Sequence, residues 1–377
     1  MRVALFSGNY NYLREGANQA LNRLARDLEA DGHEVRAYSP VTDRPAFEPA
    51  GTLVPVPSIP LPVRSEFRLS LGLPRAVRED VRRFAPDIVH LSTPDILGTR
   101  AQTFARRLGI PTVASLHTRF EAYLDYYGLG WAGPLVEAHL RRFYRRCDHV
   151  LAPTPALVAA MKAMRGDDQV SLWSRGVDRA LFNPARRDPE WRRSNGWSDE
   201  DVVVLFFGRL VAEKGIDRYV STLRQLQRRS TGIRALAVGA GPAAGAFDAL
   251  PGAVLTGHLD GAELVRAVAS ADILLHPSTT ETFGNVVLEA MASGLAVVCA
   301  RTDSAEALVE HGRTGILCAP DDCEGYRQAI LALAEDPRRR SDLGEAARRS
   351  SEAFSWSNAS RSVAQAYRDV LGRRRRR

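Results

Sequence analysis

Along almost the whole chain, short apolar runs alternate with longer segments of mixed polar and apolar positions. In the first half the runs at 2–7, 34–39, 87–92, 112–117 and 149–153 are rich in Val, Leu, Ile or Ala. They show little strict alternation, as expected of strands buried on both faces of a parallel sheet. Between them, 17–31, 75–84 and 98–108 read as helices. The second of these meets the stop Ala85-Pro86, and the third ends at Gly109 with Pro111 just beyond. The alternation restarts in the second half, with strands expected at 202–207, 235–239, 254–256, 272–276, 296–300 and 315–318. Two successive series predict an α/β chain of two Rossmann-like, doubly wound parallel-sheet domains facing across a cleft. The expected domains are 1–177 and 178–356. The final helix, about 357–377, follows the second series and is expected to return to the first domain. A TIM barrel fits the alternation less well. It leaves unexplained the polar break at 178–200, with two prolines and two tryptophans, which reads as an interdomain linker.

Length supports two cores, since 377 residues exceed the roughly 250 at which single cores stop growing. Hydrophobic residues at 45% and charged residues at 25% are ordinary for a globular protein. No apolar run is long enough to span a bilayer, and the N-terminus enters a strand pattern without the features of a signal peptide. A cytoplasmic protein is expected. Cys147, Cys299, Cys318 and Cys323 form no CxxC pair and read as reduced, mostly buried thiols.

The net charge of +7 rests almost wholly on arginine, lysine occurring only at 162 and 214. Clustering is more informative than the total. Arg141, Arg142, Arg145 and Arg146 recur at helical spacing, and residues 373–377 are all arginine. Such clusters suit an anionic membrane surface or simply a solvated helix face and tail. No helix-turn-helix, stacking platform or zinc motif accompanies them, which argues against nucleic acid as a partner.

In open α/β sheets ligands bind beyond the carboxyl ends of the strands. After the strand at 272–276 comes HPSTTETFGNVVLEAMASG, with Glu281 and Glu289 flanking seven residues that include Gly284. A helix starting near Phe283 or Gly284 would offer free N–H groups to an anion. Glu281 would then face sugar hydroxyls from the loop, and Glu289 would face a ribose diol from the helix. After the strand at 202–207 comes GRLVAEKG, placing Arg209 and Lys214 on one loop bordered by Gly208 and Gly215. A guanidinium fork and an ammonium suit a diphosphate, whose charge develops as it departs.

GRLVAEKG and ETFGNVVLE resemble the donor-site signatures of glycosyltransferase family 4. ADILLHPS, GHEV and EALVEHGRTGIL extend that resemblance over nearly the whole chain. Within the family, IPLPVRSEFRLSL, SLHTRFEAYLDYYGL and LWSRGVDRALFNP resemble the bacterial branch of GDP-mannose-dependent α-mannosyltransferases and sulfoquinovosyl-diacylglycerol synthases. The resemblance implies a GT-B fold, retention at the anomeric carbon and no metal or other cofactor. It assigns Arg209 and Lys214 to the donor diphosphate, and Glu281 with the backbone of Gly284 and Asn285 to the transferred sugar. Glu289 goes to the ribose, with Gly208, Phe283 and Val286 bordering the site.

The same resemblance brings His117 into the active site, although on its own it is one of eight histidines. Gly16 opens the expected anion-facing helix of the first domain, where Glu15-Gly16-Ala17 stands in place of the Gly-Gly or Asp-Gly-Val of many relatives. Arg175 is expected to line the cleft, and Tyr123, Tyr126 and Tyr127 to face an acceptor or serve packing. The expected reaction moves a hexose from a nucleotide-diphosphate sugar, GDP-mannose or a UDP-hexose or UDP-hexuronate, to a lipid or glycan. Closure of the domains would exclude water. A nucleotide-sugar epimerase and a non-catalytic sugar-nucleotide binder are the alternatives.

Overall fold

The computed structural model describes residues 1–61, 66–118, 130–230 and 232–376. The chain divides into two compact units, Met1–Gly176 together with Trp356–Arg377, and Val177–Ser355. Unit 1 holds strands β1 (Arg2–Phe6), β2 (Glu34–Ser39), β3 (Thr52–Pro55), β4 (Ser58–Pro60), β5 (Arg68–Ser70), β6 (Ile88–Leu91), β7 (Thr112–Ser115), β8 (His149–Ala152) and β9 (Val170–Leu172). Seven of them form one parallel sheet in the order β3-β2-β1-β6-β7-β8-β9, while β4 and β5 pair as an antiparallel hairpin. Every residue of β6, β7 and β8 is buried, which is why these runs lack polar alternation.

Helix Trp356–Arg375 belongs to unit 1 although it follows unit 2 in sequence. Its Val363, Ala366, Tyr367 and Val370 share a core with Leu21, Leu24 and Leu28 of helix Gly16–Ala30. An apolar stripe at helical spacing on each partner accounts for that pairing.

Unit 2 holds β10 (Val202–Phe207), β11 (Ile233–Val238), β12 (Val254–Leu255), β13 (Ile273–His276), β14 (Ala296–Ala300) and β15 (Ile316–Cys318). Their order is β12-β11-β10-β13-β14-β15, all parallel. The chain therefore winds outward from β10 in one direction and then returns to its other side, which puts a topological switch point between β10 and β13. Val203 and Leu205 enter one core and Val202, Val204 and Phe206 the other, so helices cover both faces. Two open sheets of this kind exclude the barrel.

The segment 178–200 is corrected from a linker to a part of unit 2. It forms a 3₁₀ turn at Pro184–Arg186 and helix Pro189–Ser194, and its Phe182 and Trp197 are buried in the core. Arg192 is 1% exposed. Its guanidinium reaches Asp272 Oδ2 at 3.0 Å, Ser270 O at 2.7 Å and Asp201 O at 2.6 Å. Asp272 in turn accepts from the Val203 N–H at 2.7 Å, so an arginine from the polar break stitches the start of β10 to the start of β13. A buried charge pair with all these bonds is strongly destabilising to break, because its partner is left uncompensated.

Candidate active site

Both donor-type segments leave the sheet of unit 2 at its switch point, GRLVAEKG after β10 and HPSTTETFGN after β13. Neighbouring strands thus bring together loops that lie 67 residues apart, and three contacts tie them. Lys214 Nζ lies 2.5 Å from Glu281 Oε1. Thr280 Oγ1 donates to Glu213 O at 3.3 Å. Gly215, at φ 75°, sits so close to Pro277 that a Cβ would stand 2.7 Å from its carbonyl oxygen. Only glycine tolerates both that backbone and that approach.

Burial alone would raise the Glu281 carboxyl. The Lys214 charge and His276, whose Nε2 is 3.4 Å from Oε1, outweigh it and hold the carboxyl well below the usual carboxylate range. Glu281 is thereby a fixed anion with a lysine beside it. His276 closes β13 and lies within the quoted motif, yet as the last residue of an apolar strand it gave no sign of this second role.

Gly284, at φ 96°, is the N-cap of helix Asn285–Ala292, which starts two residues after the earlier and one after the later of the expected positions, Phe283 and Gly284. The Gly284 cap supplies no side-chain acceptor and the first turn carries no acid, so the positive end of the helix dipole is not offset by a side chain of the first turn. Glu289 lies in the second turn, half-buried, and its carboxyl is pushed up to about 8 by burial. Phe283 is a core residue, its ring centroid 6.0 Å from that of Phe354, so only its backbone is available to a ligand. Val286 packs against the same core, and Gly208 lies beside it. Arg209 is exposed on the loop after β10. His276 Nδ1, Ser278 Oγ and Asn285 Oδ1 are buried with no hydrogen-bond partner among the described residues.

His117, Arg175 and Gly16 lie in unit 1. His117 follows β7, buried, and Arg175 Nη2 donates to its Nδ1 at 2.9 Å. Arg175 is itself 3% exposed. Its remaining bonds go to the carbonyls of Trp173 and Ser174, and its guanidinium lies 4.7 Å from the Trp173 ring centroid. At Gly16 the helix start is capped reciprocally by Glu15 and Asn18, so a carboxylate of the chain already occupies part of the expected anion position. Tyr123, Tyr126 and Tyr127 lie outside the described residues. Among those residues no three His, Cys, Asp or Glu side chains converge as a metal site requires. No helix among them is long and apolar enough to cross a membrane.

Two Rossmann-like units, one with a lysine–glutamate pair and a glycine-capped helix start at its switch point, define a GT-B glycosyltransferase. Sequence comparison gives the family. The model of Glycosyltransferase Family 4 matches residues 14–181 and that of Glycosyl transferases group 1 matches residues 201–336. A GDP-mannose-dependent alpha-mannosyltransferase from Mycolicibacterium smegmatis is 35% identical over 383 residues, covering 99% of each chain. Sulfoquinovosyl transferase SQD2 from Arabidopsis thaliana is 32% identical over 376 residues, covering 96% of this chain and 72% of the relative. The chain belongs to glycosyltransferase family 4. In fold it is similar to sucrose-phosphate synthase from Thermosynechococcus elongatus, with a TM-score of 0.80 at 19% identity over 98% of this chain and 99% of the other.

Proposed function

We propose that this glycosyltransferase moves mannose from GDP-mannose to a lipid acceptor with retention of configuration and without a metal. The observation that carries the reading is the junction of the β10 and β13 loops, where Lys214, Glu281 and the Gly284 helix start meet. On this reading the diphosphate takes Lys214 away from Glu281 and adds Arg209, while Glu281 turns to the sugar hydroxyls. Glu289 holds the ribose. The bond between the anomeric carbon and the phosphate oxygen breaks, and its electron pair leaves with the nucleoside diphosphate, whose charge the cations and helix N–H groups stabilise. The acceptor oxygen bonds the carbon from the same face and gives its proton to a phosphate oxygen. Preference for GDP-mannose is supported by the 35%-identical relative named for that donor.

A lipid acceptor is supported by two features of unit 1. Trp131 and Leu135 are 76% and 70% exposed at the start of helix Gly133–Arg145. Arg141, Arg142 and Arg145 are exposed further along the same helix. Exposed aromatic and aliphatic groups beside basic residues suit the face of an anionic bilayer, each basic residue contributing about 1 kcal/mol near such a surface.

The test is nucleotide release from GDP-, UDP- and ADP-sugars, with and without phosphatidylglycerol vesicles carrying bacterial lipid. Release from GDP-mannose is expected, stimulated by lipid and lost in Lys214→Ala and Glu281→Ala. Stimulation should weaken in Trp131→Ser with Leu135→Ser. Release from a UDP-sugar alone would overturn the donor, and stimulation by a soluble glycan but not by lipid would overturn the acceptor.

A further inference from the structure

Behind His117 a line of polar side chains crosses the core of unit 1. His117 Nε2 lies 2.8 Å from Ser115 Oγ, which lies 2.8 Å from His90 Nε2. His90 Nδ1 in turn lies 2.5 Å from Tyr367 Oη on helix Trp356–Arg375. With Arg175 at the other end, five buried side chains from four separate parts of the sequence form one chain of hydrogen bonds. His90 and Ser115 occupy strands β6 and β7, whose neighbours include Ile88, Val89, Leu91 and Val113. Polar groups there are costly unless each is satisfied, so the network is all-or-none in character.

Its direction follows from donor chemistry. A guanidinium has no lone pair to accept with, so Arg175 donates and His117 Nδ1 accepts. His117 is then neutral with its proton on Nε2, which donates to Ser115 Oγ. Burial, followed by the Arg175 charge and by His90, keeps His117 well below the ordinary histidine range. Trp173 fixes the rings from the side, its centroid 5.3 Å from His117 and 5.8 Å from His90. Both ring nitrogens of His117 are thus engaged within the protein.

We propose that Tyr367, His90 and Ser115 are positioning residues that lock the ring orientation and Nε2–H tautomer of His117, and through it aim the Arg175 guanidinium. The kinetic side of this proposal rests on the transferase reading; the tautomer does not.

The experiment uses the full chain labelled with ¹⁵N-histidine at pH 7, together with steady-state kinetics on GDP-mannose. The wild-type nitrogen shifts are expected to show His117 as neutral Nε2–H. Ser115→Ala leaves the Nε2–H without its acceptor and should shift the Nε2 resonance, and Ser115→Thr should restore the wild-type shift. Tyr367→Phe keeps the ring in the core and should lower kcat about 10-fold, as misaimed groups do, with donor KM within about two-fold. A wild-type His117 found charged or as Nδ1–H overturns the proposal, as does wild-type kcat in both Tyr367→Phe and Ser115→Ala. A wild-type chain inactive with every donor would remove the transferase reading instead, and the nitrogen shifts would still decide the network.

Discussion

Glu289 shows how one residue couples chemistry to solution conditions. Burial pushes its carboxyl up to about 8, so at neutral pH the ligand-free side chain is mostly protonated. On the proposed reading a ribose diol donates two hydrogen bonds to this carboxyl and favours the carboxylate, so nucleotide binding would release a proton. GDP affinity should therefore rise between pH 6 and pH 8 and level off above, with Glu289→Gln flat across the range. Calorimetry in buffers of different ionisation enthalpy measures the proton directly. Legibility at this scale was uneven. Lys214 stood out because lysine is nearly absent from the chain, and Glu281 and Glu289 because their spacing straddles a glycine. His90 and Tyr367 are 277 residues apart, and no local pattern links positions that only tertiary folding brings to hydrogen-bond distance.

Among the elements, the loop after β10 and the loop after β13 act as one piece because Gly215 lets them touch. Gly215→Ala combines a backbone conformation that disfavours Cβ by about 1–2 kcal/mol with a clash against Pro277 O. We expect a lower Tm and a loss of donor affinity together, since the clash separates Lys214 from Glu281. Differential scanning calorimetry and nucleotide titration on the same sample check both. Central strands such as β10 and β14 were legible from composition because they are buried apolar runs, and β2, β10 and β14 begin and end where the sequence pattern does. Edge strands β3 and β9 and the hairpin β4–β5 were not. They are partly exposed, short and proline-containing in β3 and β4, and so lack the apolar signal. The stretch 178–200 misled for the opposite reason. Most of its polar residues are exposed, but Phe182 and Trp197 reach the core and Arg192 is buried against Asp272, and a polar average conceals three anchors.

For the molecule as a whole, acid should act first on unit 1. Burial lowers His90 to about 3 and His149 to about 4, and holds His117 well below its usual value. Each takes up a proton on unfolding once the pH falls below the ordinary value near 6.5, so the stability these neutral rings contribute is complete above that pH and is lost progressively towards 3. The Tm should fall steadily from pH 6.5 to pH 4, with proton uptake on unfolding in calorimetry. A Tm unchanged over that interval would contradict buried neutral imidazoles.

One feature of chain order reaches beyond a single molecule. Unit 2 begins at Val177 and ends at Ser355, and the Val177 N–H donates to Phe354 O at 3.1 Å. The entry and exit of this 179-residue insertion therefore meet, so closing it adds almost no loop entropy to the host unit. Helix Trp356–Arg375 can rejoin unit 1 whatever lies between. Recombination at these two points would exchange the whole of unit 2 while leaving the core of unit 1 intact, a route by which a lineage replaces one domain in a single genetic event.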